Sequence, residues 1–144
     1  MITYLLDVNV LIALIDPAHV QHDAAHDWFV KKGKKSWATC PLTENGVMRI
    51  VGHTRYPNSP GTPAAVAQLM SGLCALPGHV FWPDDISLLD TNKLDPSRLL
   101  CSAQVTDSYL LALACAHDSK LATFDRRMVA DAVRGGAKGL HLIV

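Results

Sequence analysis

Apolar residues occur along this chain in two kinds of run. The first kind is short and rich in β-formers: Thr3–Leu6, Ser36–Cys40, His79–Trp82, Lys120–Thr123 and Leu140–Val144. Runs of four or five such residues bounded by turn formers predict strands. The second kind is longer and repeats with a helical period. Val8–Ile15 reads as a short buried helix. Asp16-Pro17 then reads as an N-cap with proline at the first helical position, opening a helix to about Lys32 on which Val20, Ala24 and Trp28 recur every four residues. Gly33 ends it. Pro41 opens a helix to Val51, and Thr62-Pro63 opens another that ends near Leu76. Val105–His117 is apolar almost throughout and predicts a central helix, and Arg126–Arg134 reads as a last one.

Strands spaced by helices predict an α/β fold with a mostly parallel central sheet of about five strands and helices on both faces. The chain has 144 residues, which fits a single domain, 1–144. Gly52–Pro63, with Pro57, Pro60 and Gly61, reads as an exposed connection inside it. Half the residues are hydrophobic (49%) and 18% are charged, which excludes intrinsic disorder. Lys plus Arg and Asp plus Glu both total 13, so indiscriminate electrostatic binding of nucleic acid is disfavoured and only a local basic patch is compatible. No apolar run approaches the roughly 20 residues of a membrane span, and the N-terminus lacks the pattern of a signal peptide. The expectation is a cytoplasmic protein.

In a parallel sheet, function gathers at the carboxyl ends of the strands. Asp7 ends the first strand and Asp125 follows the fourth. Glu44, the only glutamate, lies in the first turn of the helix after the second strand, and Asp107 in the first turn of the apolar helix. An acid in a first helical turn favours the helix dipole, and an N-cap Asp satisfies free N–H groups, so each position has a purely structural explanation. Together, four carboxylates from four segments map to one sheet edge, each beside apolar neighbours. Such a cluster repels itself and calls for a divalent cation with oxygen ligands, Mg²⁺ or Mn²⁺. Asp23, Asp27, Asp84, Asp85 and Asp90 read as exposed faces or loops.

The stretch Leu5-Leu6-Asp7-Val8-Asn9-Val10-Leu11-Ile12 resembles the opening of a PIN domain. The resemblance continues through Thr43-Glu44, Thr106-Asp107 and Ala122-Thr123-Phe124-Asp125, in order and over essentially the whole chain. More narrowly, the chain is similar to VapC-type toxins of bacterial toxin–antitoxin modules. The resemblance implies a three-layer PIN-like fold and a Mg²⁺-dependent endoribonuclease. Asp7, Glu44 and Asp107 fall on the family's three acidic positions, and Asp125 on a more variable fourth. It implies that these four are the catalytic and metal-binding residues, with Asp7 and Asp107 the principal ligands and Asn9, Thr106 and Thr123 in support. It further implies cleavage to 5′-phosphate and 3′-hydroxyl ends, a small antitoxin that blocks the site, and a homodimer.

The RNA, a structured target such as a tRNA or a ribosomal RNA loop, needs cations. Arg126 and Arg127 follow Asp125 directly, and Arg49 lies on the helix of Glu44. Arg55 and the Lys31-Lys32-Gly33-Lys34-Lys35 cluster are further candidates, although positive charge at a helix end also favours the dipole. His22 and His26 have the i, i+4 spacing of a zinc pair, with His19 near, but that helix offers no third ligand, so they read as a solvated face. Trp28, Trp37 and Trp82 read as core, and Cys40, Cys74, Cys101 and Cys115 as small buried hydrophobes without CxxC spacing.

Three rivals are weighed. A haloacid-dehalogenase-like phosphatase needs a second Asp two residues after the first, where this chain has Asn9. A receiver domain needs an acidic pair before its first helix and a late-strand lysine, and neither is evident. A catalytically silent PIN-like binding or assembly module is disfavoured by the complete acidic set, and metal-dependent RNA cleavage separates it from the enzyme.

Overall fold

A computed structural model describes all 144 residues. Five strands form one sheet: β1 (Tyr4–Leu6), β2 (Trp37–Thr39), β3 (His79–Phe81), β4 (Lys120–Thr123) and β5 (Leu140–Leu142). Their order is β3-β2-β1-β4-β5, and every pairing is parallel. The chain therefore winds outward from β1 to one edge, returns, and winds from β4 to the other. The reversal falls between β1 and β4, the position in an open parallel sheet where sites gather at the carboxyl ends of the strands.

The helices are α1 (Val8–Ile15), α2 (His22–Lys31), α3 (Pro41–Val51), α4 (Pro63–Cys74), α5 (Gln104–Ala116) and the single turn α6 (Gly136–Gly139). Register sorts the strand residues between two faces, because successive side chains point oppositely. Leu5 pairs with Ala38 and Leu121, and all three pack with Leu110, Leu111 and Leu113 of α5. Leu6 pairs with Ala122, and with Trp37 they join Val10, Trp28 and Val47 of α1, α2 and α3 on the opposite face. Leu5 and Leu6 are fully buried, so β1 is covered on both sides. The arrangement is the expected three-layer α/β fold, and no helix is long and apolar enough to cross a membrane.

Local signals explain most boundaries. Pro41 starts α3, and Thr62 caps α4 by accepting from the Ala65 N–H at 3.1 Å. Two expectations are corrected. Asp16 does not open a helix: α2 begins only at His22, and Asp16 follows the end of α1 as a buried anchor. Its carboxylate accepts from the Ala18 N–H (3.0 Å), from the Tyr56 hydroxyl and from Asn58 Nδ2 (3.4 Å). Burial opposes its charge, but these donors win and hold its pKa below the ordinary value, while Tyr56 is pushed up to about 12 by burial and by that carboxylate. The Gly52–Pro63 connection is thus tied down at its middle. Arg126–Arg134 is not helical either. Its backbone pairs elsewhere: Leu94 bridges Val133, Asp95 N–H donates to Ala132 O (2.7 Å) and Arg134 N–H to Lys93 O (2.9 Å).

The three tryptophans are core residues as expected. Of the cysteines, Cys40 is buried, Cys74 and Cys115 are half-buried, and Cys101 is exposed, which corrects the uniform reading. His22 and His26 are neither a metal pair nor simply solvated. Their rings meet the carbonyl oxygens of Ala13 (2.7 Å) and Leu14 (3.1 Å), in the last turn of α1 where carbonyls lack helical partners.

Candidate active site

Asp7 stands where β1 ends and α1 begins. Its backbone N–H continues the β1–β4 pairing by donating to Ala122 O (3.0 Å), and its extended backbone caps the helix. One carboxylate oxygen, Oδ1, accepts from the Val8 N–H at 2.7 Å; the other, Oδ2, accepts from the Thr123 hydroxyl at 2.7 Å. A carboxylate offers about four lone-pair positions, so each oxygen retains acceptor capacity. Asp7 is only 7% exposed, and burial is the main reason that its pKa is raised, with the Asp125 charge adding to the effect against the two hydrogen bonds.

Thr123, fully buried at the end of β4, organises the neighbours. Besides donating to Asp7, its Oγ1 accepts from Asn9 Nδ2 (3.2 Å) and from the Asp125 N–H (3.1 Å). Asn9 Oδ1 accepts in turn from the Phe124 N–H (3.4 Å). Asp125 Oδ1 accepts from the Arg127 N–H (2.9 Å), which shapes the turn after β4. The two central strands are therefore locked together at their carboxyl ends by polar side chains.

Asp107 reaches the same place from the other layer. The helix α5 precedes β4 and runs back along it, so its first turn lies at the carboxyl edge. The pKa of Asp107 is raised to about 6, first by burial and then by the charges of Asp7 and Asp125. Three of the four candidate carboxylates thus converge closely enough to repel one another. None of them is ion-paired: the one ion pair of the chain joins Arg98 to Asp95 at 3.5 Å. An all-oxygen donor set with uncompensated negative charge suits a hard divalent cation such as Mg²⁺ or Mn²⁺.

Glu44 occupies the neighbouring strand end. Its Oε2 accepts from Thr39 Oγ1 (2.7 Å), and the same hydroxyl lies 2.7 Å from His79 Nε2. Glu44, Cys74 and His79 bring one donor atom each within 4.8 Å of one another. Sequence reading passed over Thr39, Cys74 and His79. A Thr at the end of β2, two residues before the proline of α3, was the available signal for the first. The other two come from α4 and β3, with nothing in their spacing to link them to Glu44.

Of the supporting and RNA-binding candidates, Asn9 and Thr123 are in the network described above. Thr106 is exposed in the first turn of α5, and no hydrogen bond ties its side chain to the carboxylates. Arg126 and Arg127 are exposed in the turn beside Asp125, and Arg49 is exposed in the last turn of α3. The exposed Lys31, Lys32, Lys34 and Lys35 lie at the end of α2 and in the turn before β2, at the amino end of a parallel sheet and so away from the carboxyl edge.

Comparison with known proteins agrees with this fold. A family model described as PIN domain matches residues 4–133. Ribonuclease VapC44 of Mycobacterium tuberculosis strain H37Rv is 44% identical over 134 residues, spanning 93% of this chain and 94% of that protein. Ribonuclease VapC39 of the same strain is 41% identical over 133 residues, 92% and 96% of the two chains. Among solved structures, the M. tuberculosis VapC20, a sarcin-ricin loop cleaving toxin, superposes with a TM-score of 0.59 at 12% identity, covering 94% of this chain and 95% of that one. FitAcB from Neisseria gonorrhoeae superposes with a TM-score of 0.55 at 17% identity, covering 85% and 87%. The strand order, the carboxylates at its reversal and these matches agree: the chain belongs to the PIN-domain family, and within it to the VapC-type proteins.

Proposed function

We propose that this protein is a Mg²⁺-dependent endoribonuclease, the toxin of a type II toxin–antitoxin module, hydrolysing RNA to 5′-phosphate and 3′-hydroxyl ends. The observation that carries the reading is the convergence of Asp7, Asp107 and Asp125 at the β1–β4 reversal, none of them ion-paired. The relatives named ribonucleases support the activity. In this reading Asp7 and Asp107 are the principal metal ligands. A bound Mg²⁺ supplies Lewis acidity toward the phosphoryl group and lowers the pKa of the water it holds, with Mn²⁺ a plausible substitute.

The chain's own contribution is positional. Thr123 and the Val8 N–H fix both oxygens of Asp7 before any ligand arrives, so no ordering of that side chain is required during reaction. Asn9 supports Thr123 and thereby the distance between β1 and β4. Asp125 and Glu44 each have one oxygen engaged, by the Arg127 N–H and by Thr39, and keep the other to orient the attacking water. Arg126 and Arg127 hold the RNA backbone beside the site, and Arg49 does so along α3. Thr106, beside Asp107 in the first turn of α5, supports the site from its exposed rim. A neutral chain with a few local cations suits recognition of a structured RNA, such as a tRNA or a ribosomal RNA loop. The proposal includes a single domain over 1–144, a cognate antitoxin as protein partner, and a homodimer.

The test is cleavage of total cellular RNA by the purified protein with Mg²⁺, with Mn²⁺ and with EDTA, beside Asp107→Asn. Discrete fragments that need metal and vanish in the variant are expected. Fragments that persist in EDTA or in the variant would refute the site.

A further inference from the structure

We propose that Glu44, Cys74 and His79 form a second metal site, selective for Zn²⁺ or a similar thiophilic divalent ion, whose filling takes Glu44 away from the nuclease site. The regulatory half of this inference rests on the nuclease reading; the binding half does not.

The three donors come from three elements: a carboxylate from the first turn of α3, a thiol from the last residue of α4, and an imidazole from the first residue of β3. Their ligand atoms all lie within 4.8 Å of one another. A tetrahedral zinc at about 2.0–2.3 Å from each donor separates them by roughly 3.4–3.8 Å. From the upper limit of 4.8 Å the cluster therefore has to contract by no more than about 1.4 Å, a side-chain adjustment. All three residues are half-buried, so the donors are partly shielded yet reachable from solvent. Beside them lies a cavity of about 180 Å³ lined by Glu44, Met48, Met70, Ser71 and Cys74 among others. The His79 ring is braced by Trp37, with ring centroids 4.7 Å apart.

Donor chemistry separates the two sites. Mg²⁺ prefers near-octahedral oxygen ligands, which Asp7 and Asp107 would supply together with water. Thiolate and imidazole are the donors that favour zinc. Three protein ligands leave the fourth tetrahedral position to a water. Binding forms a metal–sulfur bond and releases the Cys74 thiol proton to solvent, with no change of oxidation state. The charges then balance, since carboxylate and thiolate together carry two negative charges against two positive ones. Thr39 links the two states of Glu44. In the metal-free protein the single Thr39 hydroxyl proton goes to Glu44 Oε2, which makes His79 Nε2 the donor toward Thr39. Ligation of Glu44 competes with that arrangement and commits its carboxylate to the second ion.

The experiment uses the reduced full-length protein with Mg²⁺ in excess, titrated with Co²⁺ as a spectroscopic stand-in and then with Zn²⁺. A thiolate-to-cobalt charge-transfer band that saturates at one ion per chain, and is displaced by Zn²⁺, is expected. It should survive Cys101→Ser, and Cys74→Ala should weaken binding by at least about 100-fold, since loss of a ligand exceeds the cost of losing an outer partner. Absence of the band, or its persistence in Cys74→Ala, overturns the site. In parallel, Zn²⁺ should suppress Mg²⁺-supported RNA cleavage by the parent protein by about tenfold or more and leave Cys74→Ala active. Zinc binding without inhibition of an active enzyme overturns the regulatory half. A cobalt band in a protein that cleaves no RNA under any metal condition supports the site and counts against the nuclease reading instead.

Discussion

Asp107→Asn should abolish cleavage and at the same time stabilise the metal-free protein at neutral pH. The wild-type carboxyl titrates near 6 when folded, against 3.8 for an unperturbed group, because folding buries it beside Asp7 and Asp125. The folded state therefore binds its proton more tightly than the unfolded state. Between these two values stability falls as pH rises, and above about 6 the full penalty is present. The difference corresponds to about 3 kcal/mol, at about 1.4 kcal/mol per pH unit. Asp107 is half-buried, and solvent screening reduces this to about 1.5 kcal/mol. The amide also gives up the attraction of a negative charge for the first turn of α5, about 0.5 kcal/mol. The net gain is about 1 kcal/mol, or a Tm higher by about 2–4 °C for a domain of this size. Thermal unfolding of both proteins in EDTA at pH 7.5 and at a pH at least about one unit below 3.8 measures it. The gain should vanish at the acid end, where the carboxyl is protonated in both states. Added Mg²⁺ should raise the wild-type Tm more than the variant's, since the ion binds only the folded site. A variant that is less stable than wild type in EDTA at pH 7.5, or a difference independent of pH, would refute the reasoning.

Asp7→Asn should also abolish cleavage, but gain less stability than Asp107→Asn despite deeper burial. An amide nitrogen placed toward Thr123 Oγ1 meets a hydroxyl that already accepts from Asn9 and Asp125, and a comparison of the two Tm values in EDTA checks this. Tyr56→Phe should destabilise the protein by about 1–3 kcal/mol in urea unfolding, because Asp16 loses its hydroxyl donor while remaining buried. The Asp16 contribution is fully present above its unfolded value of 3.8 and is lost as pH falls through the lower folded value, so the effect of Tyr56→Phe should fade in acid. Arg126→Ala with Arg127→Ala should weaken RNA binding and flatten its dependence on salt by about two phosphate contacts, leaving the unfolding free energy within about 0.5 kcal/mol of wild type; an unchanged salt slope would remove these arginines from the RNA interface.

The sheet and the convergence of Asp7, Asp107 and Asp125 were legible because they follow from rules of topology. Hydrophobic runs of strand and helix length fixed five parallel strands, and acids at strand ends or at the start of the preceding helix must then share an edge. The segment after Asp125 was not legible. Its composition tolerates a helix, but residues 132–134 find backbone partners at 93–95, a pairing that no local pattern announces. Asp16-Pro17 misled for a related reason. The Asx-type bond to Ala18 is local, whereas the Tyr56 hydroxyl that fixes Asp16 arrives from 40 residues away. The company of Glu44 escaped notice because Cys74 and His79 join it only once β3 has added to the edge of β2. Conversely, the i, i+4 histidines that suggested a metal serve the carbonyl end of α1.

The reversal of strand order between β1 and β4 also sets when the acidic edge can assemble during synthesis. Asp7 and Thr123, which fixes one of its oxygens, are separated by 116 residues of chain. At roughly 5–20 residues per second, about 6 to 23 s separate them. Throughout that interval β1 lacks its β4 neighbour and the carboxylates have no common edge to occupy. The emerging chain therefore carries no assembled acidic edge until β4 has been made.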